Sequence, residues 1–369
     1  MAMQVHTLTT EEEFQRYATF GQEVYQQNPY WVAPDTQHRT RLLSGKAPSS
    51  AHAHVQAFWI EEGDSLRATL TAVVDELYNR HWNERMGHLQ LFEALPHCDE
   101  AVQALFHTAC EWLQGHRCQA ARMSLLGAWQ LPLTIDAYDA VPTVFHTYNP
   151  PYYHSYIKNA GFQTERGQVQ YQVQFTPALA RRYEQMVEQA VLSGVRLRSW
   201  DFTRLEEETV LLTTLFNDTF AAHWGVCPTT VPEMQGLTGG LKDVLVADFI
   251  GFAEAEGQTV GFVFSLPDLN QAFHRTRGRG SEENTAEFRE LLQQIDHGVL
   301  QIIGVKQSYR GRGINLALAA KSYLAMIERG YKTGSYTVVL DDNWRSRRTA
   351  EKLGGRVTRN FVTYRKELA

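Results

Sequence analysis

Hydrophobic and polar positions along the chain follow two alternating periods, which predict a mixed α/β protein. Runs rich in β-branched and aromatic residues, such as 55–60, 66–74 and 299–305, are typical of strands. Between such runs, apolar residues recur every three or four positions, for example after Asp99 and after Ile314. This second period is the pattern of helices that bury one face.

The same order of predicted elements occurs twice along the chain. Each half is expected to run strand, helices, hairpin, strand, helix, strand, helix, strand. The halves share little residue identity, so the repeat is one of element order. We therefore predict two domains, residues 1–176 and 195–369, joined by a linker helix at 177–194. Each domain is expected to be a mostly antiparallel, twisted sheet flanked by helices.

Composition narrows the class of protein. The chain has 369 residues, enough for two cores, and its net charge of −6 argues against a generic nucleic-acid-binding protein. No apolar run reaches membrane-spanning length and the N-terminal residues do not form a signal peptide, so we expect a cytoplasmic protein without membrane contact. The cysteines lack the spacing of zinc sites or disulfides, so we expect free thiols and no bound metal. They are Cys98, Cys110, Cys118 and Cys227. The sequence leaves a monomer and a homodimer open, because the duplication could itself replace a dimer.

Residues 299–331 carry the most informative pattern. A strand-like run is followed by the turn Tyr309-Arg310-Gly311-Arg312-Gly313 and then by a helical pattern. The first amides of a helix lack internal partners and lie at the positive end of its dipole, so this turn is a candidate seat for a phosphate. The alternative is a tight turn with surface arginines, because a glycine motif needs structural context.

A second motif supplies that context. The turn resembles the pyrophosphate loop of the GNAT acyltransferase superfamily, Q/R-x-x-G-x-G/A, with Arg310 and Gly313 in place but Asn315 where a small residue is usual. Asn343 and the later Lys-Leu-Gly at 352–354 match the superfamily's second signature. The resemblance covers residues 195–369 and implies coenzyme A as cofactor, usually as acetyl-CoA.

The resemblance also implies a set of cofactor-binding residues. The pantetheine arm would lie between the fourth and fifth strands, the loop amides would hold the pyrophosphate, and the helix after the fifth strand would flank the arm. The implied residues are Ile303, Gly304, Val305, Arg310, Gly311, Arg312, Gly313, Ile314, Asn315, Asn343, Ser346 and Arg347. For Arg347 and its neighbours Arg345 and Arg348, a solvated helix face is an equal alternative.

The general acid is not fixed by the sequence. Many superfamily members have a tyrosine seven residues after the conserved asparagine, whereas this chain has Ala350. Tyr309, Tyr336 or Tyr364 could protonate the departing thiolate, or no acid is needed, since a CoA thiolate is a fair leaving group.

The sequence does not assign the general base or the residues that bind the acceptor. Asp268 is the candidate base, with Glu254 as an alternative, and each is more often a structural carboxylate. His223 and Trp224 fall where the superfamily builds its acceptor pocket, and Asn270 begins an insertion that is expected to contribute to it. Ordinary packing is the alternative for the His-Trp pair.

The first half resembles the same fold without the loop. Its residues 87–100 contain no glycine turn, and Glu93 and Asp99 would repel a pyrophosphate, so we expect no CoA there. The main hypothesis is an acyl-CoA-dependent N-acyltransferase that acts on a small-molecule amine or peptide by direct attack on the thioester. The alternatives are a non-catalytic CoA-binding or regulatory protein and, less favoured, an aminoacyl or peptidyl transferase.

Overall fold

Thirteen strands and thirteen helices form the part of the chain that the computed structural model describes, residues 4–123, 132–146, 148–276 and 286–368. The strands are β1 (Gln4–Thr7), β2 (Ala53–Glu62), β3 (Ser65–Asp75), β4 (Met86–Ala94), β5 (Ala120–Met123), β6 (Leu133–Thr134), β7 (Gln163–Gln174), β8 (Arg196–Ser199), β9 (Gly251–Ala255), β10 (Gln258–Pro267), β11 (His297–Val305), β12 (Thr333–Leu340) and β13 (Arg356–Glu367). The helices are α1 (Glu11–Thr19), α2 (Gly21–Val24), α3 (Thr36–Leu43), α4 (Glu76–Trp82), α5 (Asp99–Gly115), α6 (Tyr153–Asn159), α7 (Pro177–Leu192), α8 (Leu205–Phe220), α9 (Val231–Leu241), α10 (Asn270–Thr276), α11 (Ala286–Gln293), α12 (Ile314–Glu328) and α13 (Trp344–Lys352). The mixed α/β prediction is confirmed.

One continuous sheet contains all the strands. Its order is β1-β2-β3-β4-β5-β13-β7-β12-β11-β10-β9-β8, with β6 beside β13. The pairs β4–β5 and β11–β12 are parallel, and every other pair among the described residues is antiparallel. Each half therefore contributes five strands in the same order, as the repeated element pattern predicts.

The last strands of the two halves are exchanged. The strand predicted to close the first half becomes β7, which lies between β12 and β13 of the second half. In return β13, the last strand of the chain, pairs with β5 of the first half. The boundaries 1–176 and 195–369 stay a prediction. The final strand of each range pairs with strands of the other half.

The hydrophobic cores follow this exchange. Val362 and Tyr364 of β13 are buried in the core of the first half, against α5 and α6. Val169, Tyr171 and Val173 of β7 are buried in the core of the second half, against α7 and α12. Neither core is complete without the other half's strand.

The helix predicted as a linker is part of the second core. Thr176 caps it by accepting the backbone N–H of Leu179 at 3.2 Å, and Gly194 follows it with φ +82°. The fully buried Tyr183 donates its hydroxyl to the carbonyl of Leu353 at 2.5 Å. This helix, α7, therefore contributes one face to the second core and packs mainly against α12.

The cysteine thiols lie in the interior of the described structure. The four cysteines are free and buried. Among the residues that the structure covers, no group of three or more histidine, cysteine or acidic side chains is placed to hold a metal ion. Within the same ranges, no helix has the length and apolar character needed to cross a membrane.

Candidate functional site

The main candidate site is a cavity where β11 and β12 part. The two parallel strands pair from His297 and Thr333 only as far as Leu300 and Tyr336. The pairing of β11 with β10 also skips Gln301, which forms a bulge at the same level. The strands then diverge, and their separated ends line a cavity of ≈ 890 Å³.

Most of the predicted cofactor-binding residues line this cavity. Ten of the twelve do so: Ile303, Gly304, Val305, Arg310, Gly311, Gly313, Ile314, Asn315, Asn343 and Ser346. Arg312 and Arg347 do not line it. The edge of residues 301–305 that would face β12 has no strand partner, so its backbone groups are open to the cavity.

The glycine turn presents bare backbone amides to this space. Gly311 and Gly313 have φ of +85° and +77°, a region that favours glycine. Gly313 is the N-cap of α12, and no side chain caps the helix there. A Cβ at either glycine would meet nothing within 4 Å. The start of α12 therefore has unsatisfied donors and open space in front of them.

The arginines of the turn have structural partners. Arg310 donates Nε to the carbonyl of Val305 at 3.0 Å and Nη2 to the carbonyl of Thr219 at 2.9 Å, which fixes the turn to β11 and α8. Arg312 pairs with Glu256 at 2.9 Å. What the loop can offer to an anion is therefore mainly its backbone amides.

Three cationic side chains from α13 add positive charge to the wall of the cavity. Arg345, Arg348 and Lys352 line the cavity. Arg347, the residue that the resemblance implied, turns away and donates to the hydroxyl of Tyr171 at 2.9 Å and to the carbonyl of Asp341 at 3.0 Å. The helical spacing of the arginines was visible in the sequence, but which of them faces the cavity was not.

Asn315 ties the loop to α13. Its Nδ2 donates to Thr349 Oγ1 at 2.8 Å, so the side chain points along the helix interface. Asn343 caps α13 by accepting the N–H of Ser346 at 3.2 Å. The departure from a small residue at 315 is thus accommodated by a hydrogen bond between the two helices.

Tyr336 is the predicted acid that lies at the parting of the strands. It is 4% exposed, lines the cavity, and its hydroxyl is 3.0 Å from Ser346 Oγ. Burial raises its pKa to about 12, so it is a neutral proton donor at pH 7. Tyr309 also lines the cavity, but its hydroxyl donates to Glu256 at 3.1 Å, and Ala350 is fully buried in the core.

His223 and Trp224 form one wall, and the first half holds them in place. Two guanidinium groups of the first half contact the Trp224 ring, with Arg122 4.8 Å and Arg166 5.0 Å from its centre. Arg122 is itself fixed by two 2.6 Å hydrogen bonds to Glu165. His223 donates Nδ1–H to the carbonyl of Trp224 at 3.1 Å, and burial lowers the pKa of the imidazole.

Asp268 and Asn270 do not join this site. Asp268 lies beside the start of β11, about 10 Å before the strands part at 3.3 Å per residue. Its carboxylate accepts the N–H of Val144 at 2.7 Å, and Asn270 donates Nδ2 to the carbonyl of Pro142 at 2.8 Å. Both residues anchor a first-half segment beside a separate cleft of ≈ 440 Å³. The alternative base, Glu254, is paired with Arg198 at 2.8 Å.

The overall fold resembles that of a known structure. A tandem GNAT protein from the clavulanic acid biosynthesis pathway matches with a TM-score of 0.58, over 100% of this chain and 99% of that chain, at 10% identity. This chain has a tandem GNAT fold.

Two known proteins are similar over nearly the whole sequence. Bacterial ceramide synthase from Caulobacter vibrioides is 26% identical over 99% of this chain and 98% of its own length. Protein YghO from Escherichia coli is 23% identical over 99% of this chain and 95% of its own length. No protein-family model matches the chain. The likeness to both relatives includes both GNAT-like halves.

The corresponding position in the first half is filled by its own side chains. The hydroxyl of Tyr153 accepts the backbone N–H of Ala94 at 2.8 Å, and that of Tyr156 accepts the N–H of Cys98 at 3.1 Å. Glu93, fully buried beside them, accepts from Tyr153 at 2.9 Å. Donors that face a cavity in the second half are thus already bonded in the first, which supports the prediction that only one half binds CoA.

The buried carboxyl of Asp268 predicts a pH-dependent stability. Burial raises its pKa to about 7, so the folded protein favours the protonated form, and the stability present below pH 4 is lost as the pH rises through 7. The variant Asp268→Asn does not titrate. Its free energy of unfolding should therefore increase relative to wild type between pH 5 and pH 7, by at most about 3 kcal/mol at about 1.36 kcal/mol per pH unit. Urea unfolding at several pH values measures this, with the exposed Asp64→Asn as control. A difference that stays constant with pH would contradict the assignment.

Proposed function

We propose that this chain is an acyl-CoA-dependent N-acyltransferase whose catalytic site is the cavity between β11 and β12. One observation carries the proposal: an uncapped, glycine-lined helix start opens onto the point where two parallel strands separate. That combination offers donors for a pyrophosphate and free strand edges for an amide-containing arm in a single cavity. The tandem GNAT fold and the likeness to bacterial ceramide synthase support the same reading.

The residues present fit coenzyme A. In the proposed complex, the amides of residues 311–315 hold the pyrophosphate, and Arg345, Arg348 and Lys352 add positive charge around it. The unpaired edge at residues 303–305 provides backbone partners for the pantetheine arm. Coenzyme A supplies the activated acyl group as a thioester.

The transfer itself needs orientation more than covalent catalysis. The acceptor nitrogen forms a bond to the thioester carbon as the carbon–sulfur bond breaks. Backbone groups at the Gln301 bulge lie where a developing oxyanion would need donors. The proton lost by the amine passes to water or to His223, which burial keeps neutral. The departing thiolate takes a proton from Tyr336, the phenol at the parting of the strands.

We propose a long-chain amino alcohol as the acceptor. A ceramide is an N-acylated long-chain amino alcohol, so the name of the relative from Caulobacter vibrioides points to this class. The cavity wall agrees with an apolar chain, because much of it is hydrophobic. The apolar lining includes Phe216, Phe220, Trp224, Val226, Ile302 and Leu340. Acetyl-CoA, expected from the superfamily in general, is the alternative donor to a long-chain acyl-CoA.

Substitution of Gly313 by glutamate should abolish CoA binding. The new side chain places a negative charge at the helix start, and φ +77° disfavours a residue with a Cβ. A matched control is Gly330→Glu, since Gly330 follows the opposite end of α12 with φ +83° and equally open surroundings. Calorimetric titration with CoA should show at least a hundredfold weaker binding for G313E and normal binding for G330E. Equal affinity in the two variants would refute the loop assignment.

Thiol release identifies the donor and acceptor. Acetyl-CoA and palmitoyl-CoA are each combined with sphinganine, a long-chain amino alcohol, and with ethanolamine, which has the same head and no chain. We expect kcat/KM to be at least tenfold higher for the long-chain acceptor, because its chain buries apolar surface in the cavity. Turnover with acetyl-CoA but not with palmitoyl-CoA would show that the donor site accepts only a short acyl chain. Normal CoA binding without turnover on any amine would favour the non-catalytic alternative.

A further inference from the structure

The central strand β7 has one polar face inside the protein. Val169, Tyr171 and Val173 point into the second core, so the alternate residues Gln168 and Gln170 occupy the opposite face and are 8% and 5% exposed. Gln170 donates to Ser335 Oγ at 3.1 Å and accepts from Thr143 at 3.3 Å. These hydrogen bonds offset the cost of burying a glutamine amide in a central strand.

The polar face leads into the cleft of ≈ 440 Å³ near Asp268. The cleft is bounded by β7, β13, the ends of β11 and β12, and the first-half segment 137–143. It is separate from the proposed acyl-transfer cavity, and no residue lines both. Its walls contain Gln170 and Gln172 from β7 and Arg359 from β13.

Arg359 is the unusual member of this cleft. It is 4% exposed, stands opposite Gln170 in the sheet, and donates Nη2 to the carbonyl of Ala140 at 3.0 Å. Its Nη1 is buried with no hydrogen-bond partner among the described residues. Within the same residues it forms no ion pair. A guanidinium stays charged at any physiological pH, so this is a buried cation with an unused donor.

The other charged groups of the cleft have partners. Asp296 pairs with Lys332 at 2.8 Å, Arg275 donates to Gln294 at 2.7 Å, and Asp268 accepts two backbone N–H groups. His297 lies between the hydroxyls of Thr333 and Ser335, and burial lowers its pKa to about 4, so it is neutral at pH 7. Arg275 is exposed to solvent, so Arg359 is the buried cation of the cleft that lacks an ion-pair partner among the described residues.

We propose that this cleft is a second ligand site that binds a small monocarboxylate through Arg359. A carboxylate matches the planar donor pattern of a guanidinium, and its single negative charge matches the buried guanidinium that has no ion-pair partner among the described residues. The ionised carboxylate of Asp296 in the same cleft disfavours a dianion such as phosphate. The side-chain amides of Gln170 and Gln172 provide polar partners for the rest of the ligand.

Butyrate and butylamine form a matched pair of probes, because they differ mainly in the carboxylate. Ligand-observed NMR and calorimetric titration on the full chain should show millimolar or tighter binding of butyrate, and no binding of butylamine. Inorganic phosphate should bind at least tenfold more weakly than butyrate. Equal binding of phosphate, or no binding of butyrate, would overturn the proposal.

Variants locate the site and separate it from acyl transfer. R359Q should weaken butyrate binding at least tenfold, whereas R356Q, at an exposed position of the same strand, should bind normally. G313E should keep butyrate binding even though it loses CoA. Thermal unfolding confirms that each variant folds, and R359K, which keeps the charge without the planar fork, should show intermediate affinity if R359Q does not fold. Unchanged affinity in a folded R359Q or R359K would contradict the role of Arg359.

Discussion

The pairing of β7 with β12 is the constraint on which the rest of the structure depends. β12 is parallel to β11 for four residues and then leaves it, because its other edge is held by the antiparallel strand β7. The approach is close: a Cβ on Gly167 would collide with the carboxylate of Asp341, at the turn that leads into α13. The separation of β11 and β12, the cavity between them and the position of α13 all follow from this contact.

The exchange of β7 and β13 makes the two halves one folding unit. The second core needs Tyr171 from the first half, and the first core needs Tyr364 from the end of the chain. The same junction places first-half side chains at the candidate site, where Arg122 and Arg166 contact the Trp224 ring. In the first half, tyrosines occupy the position that corresponds to the cavity. The first half still forms part of the wall of the cavity in the second half.

The sequence predicted the secondary-structure elements and the loop, because strand periodicity, glycine placement and helix starts depend on residues that are close together in the chain. The exchange could not be predicted in this way, since residues 168–174 pair with strands more than 150 positions later and their alternation fits either half. The direction of individual side chains also could not be predicted from the sequence. Arg347 and Arg348 are neighbours in sequence, yet only Arg348 lines the cavity. Asp268 was placed near the acceptor from its strand position, whereas the structure shows it holding Val144 in a separate cleft.

Native mass spectrometry of the full chain with coenzyme A tests the central claim most directly. The account predicts one bound CoA per chain, because the amides that follow β11 are open and those that follow β4 are bonded to Tyr153 and Tyr156. Saturation at one equivalent would support a single cofactor site between β11 and β12. Two equivalents per chain, or none at millimolar CoA, would contradict it.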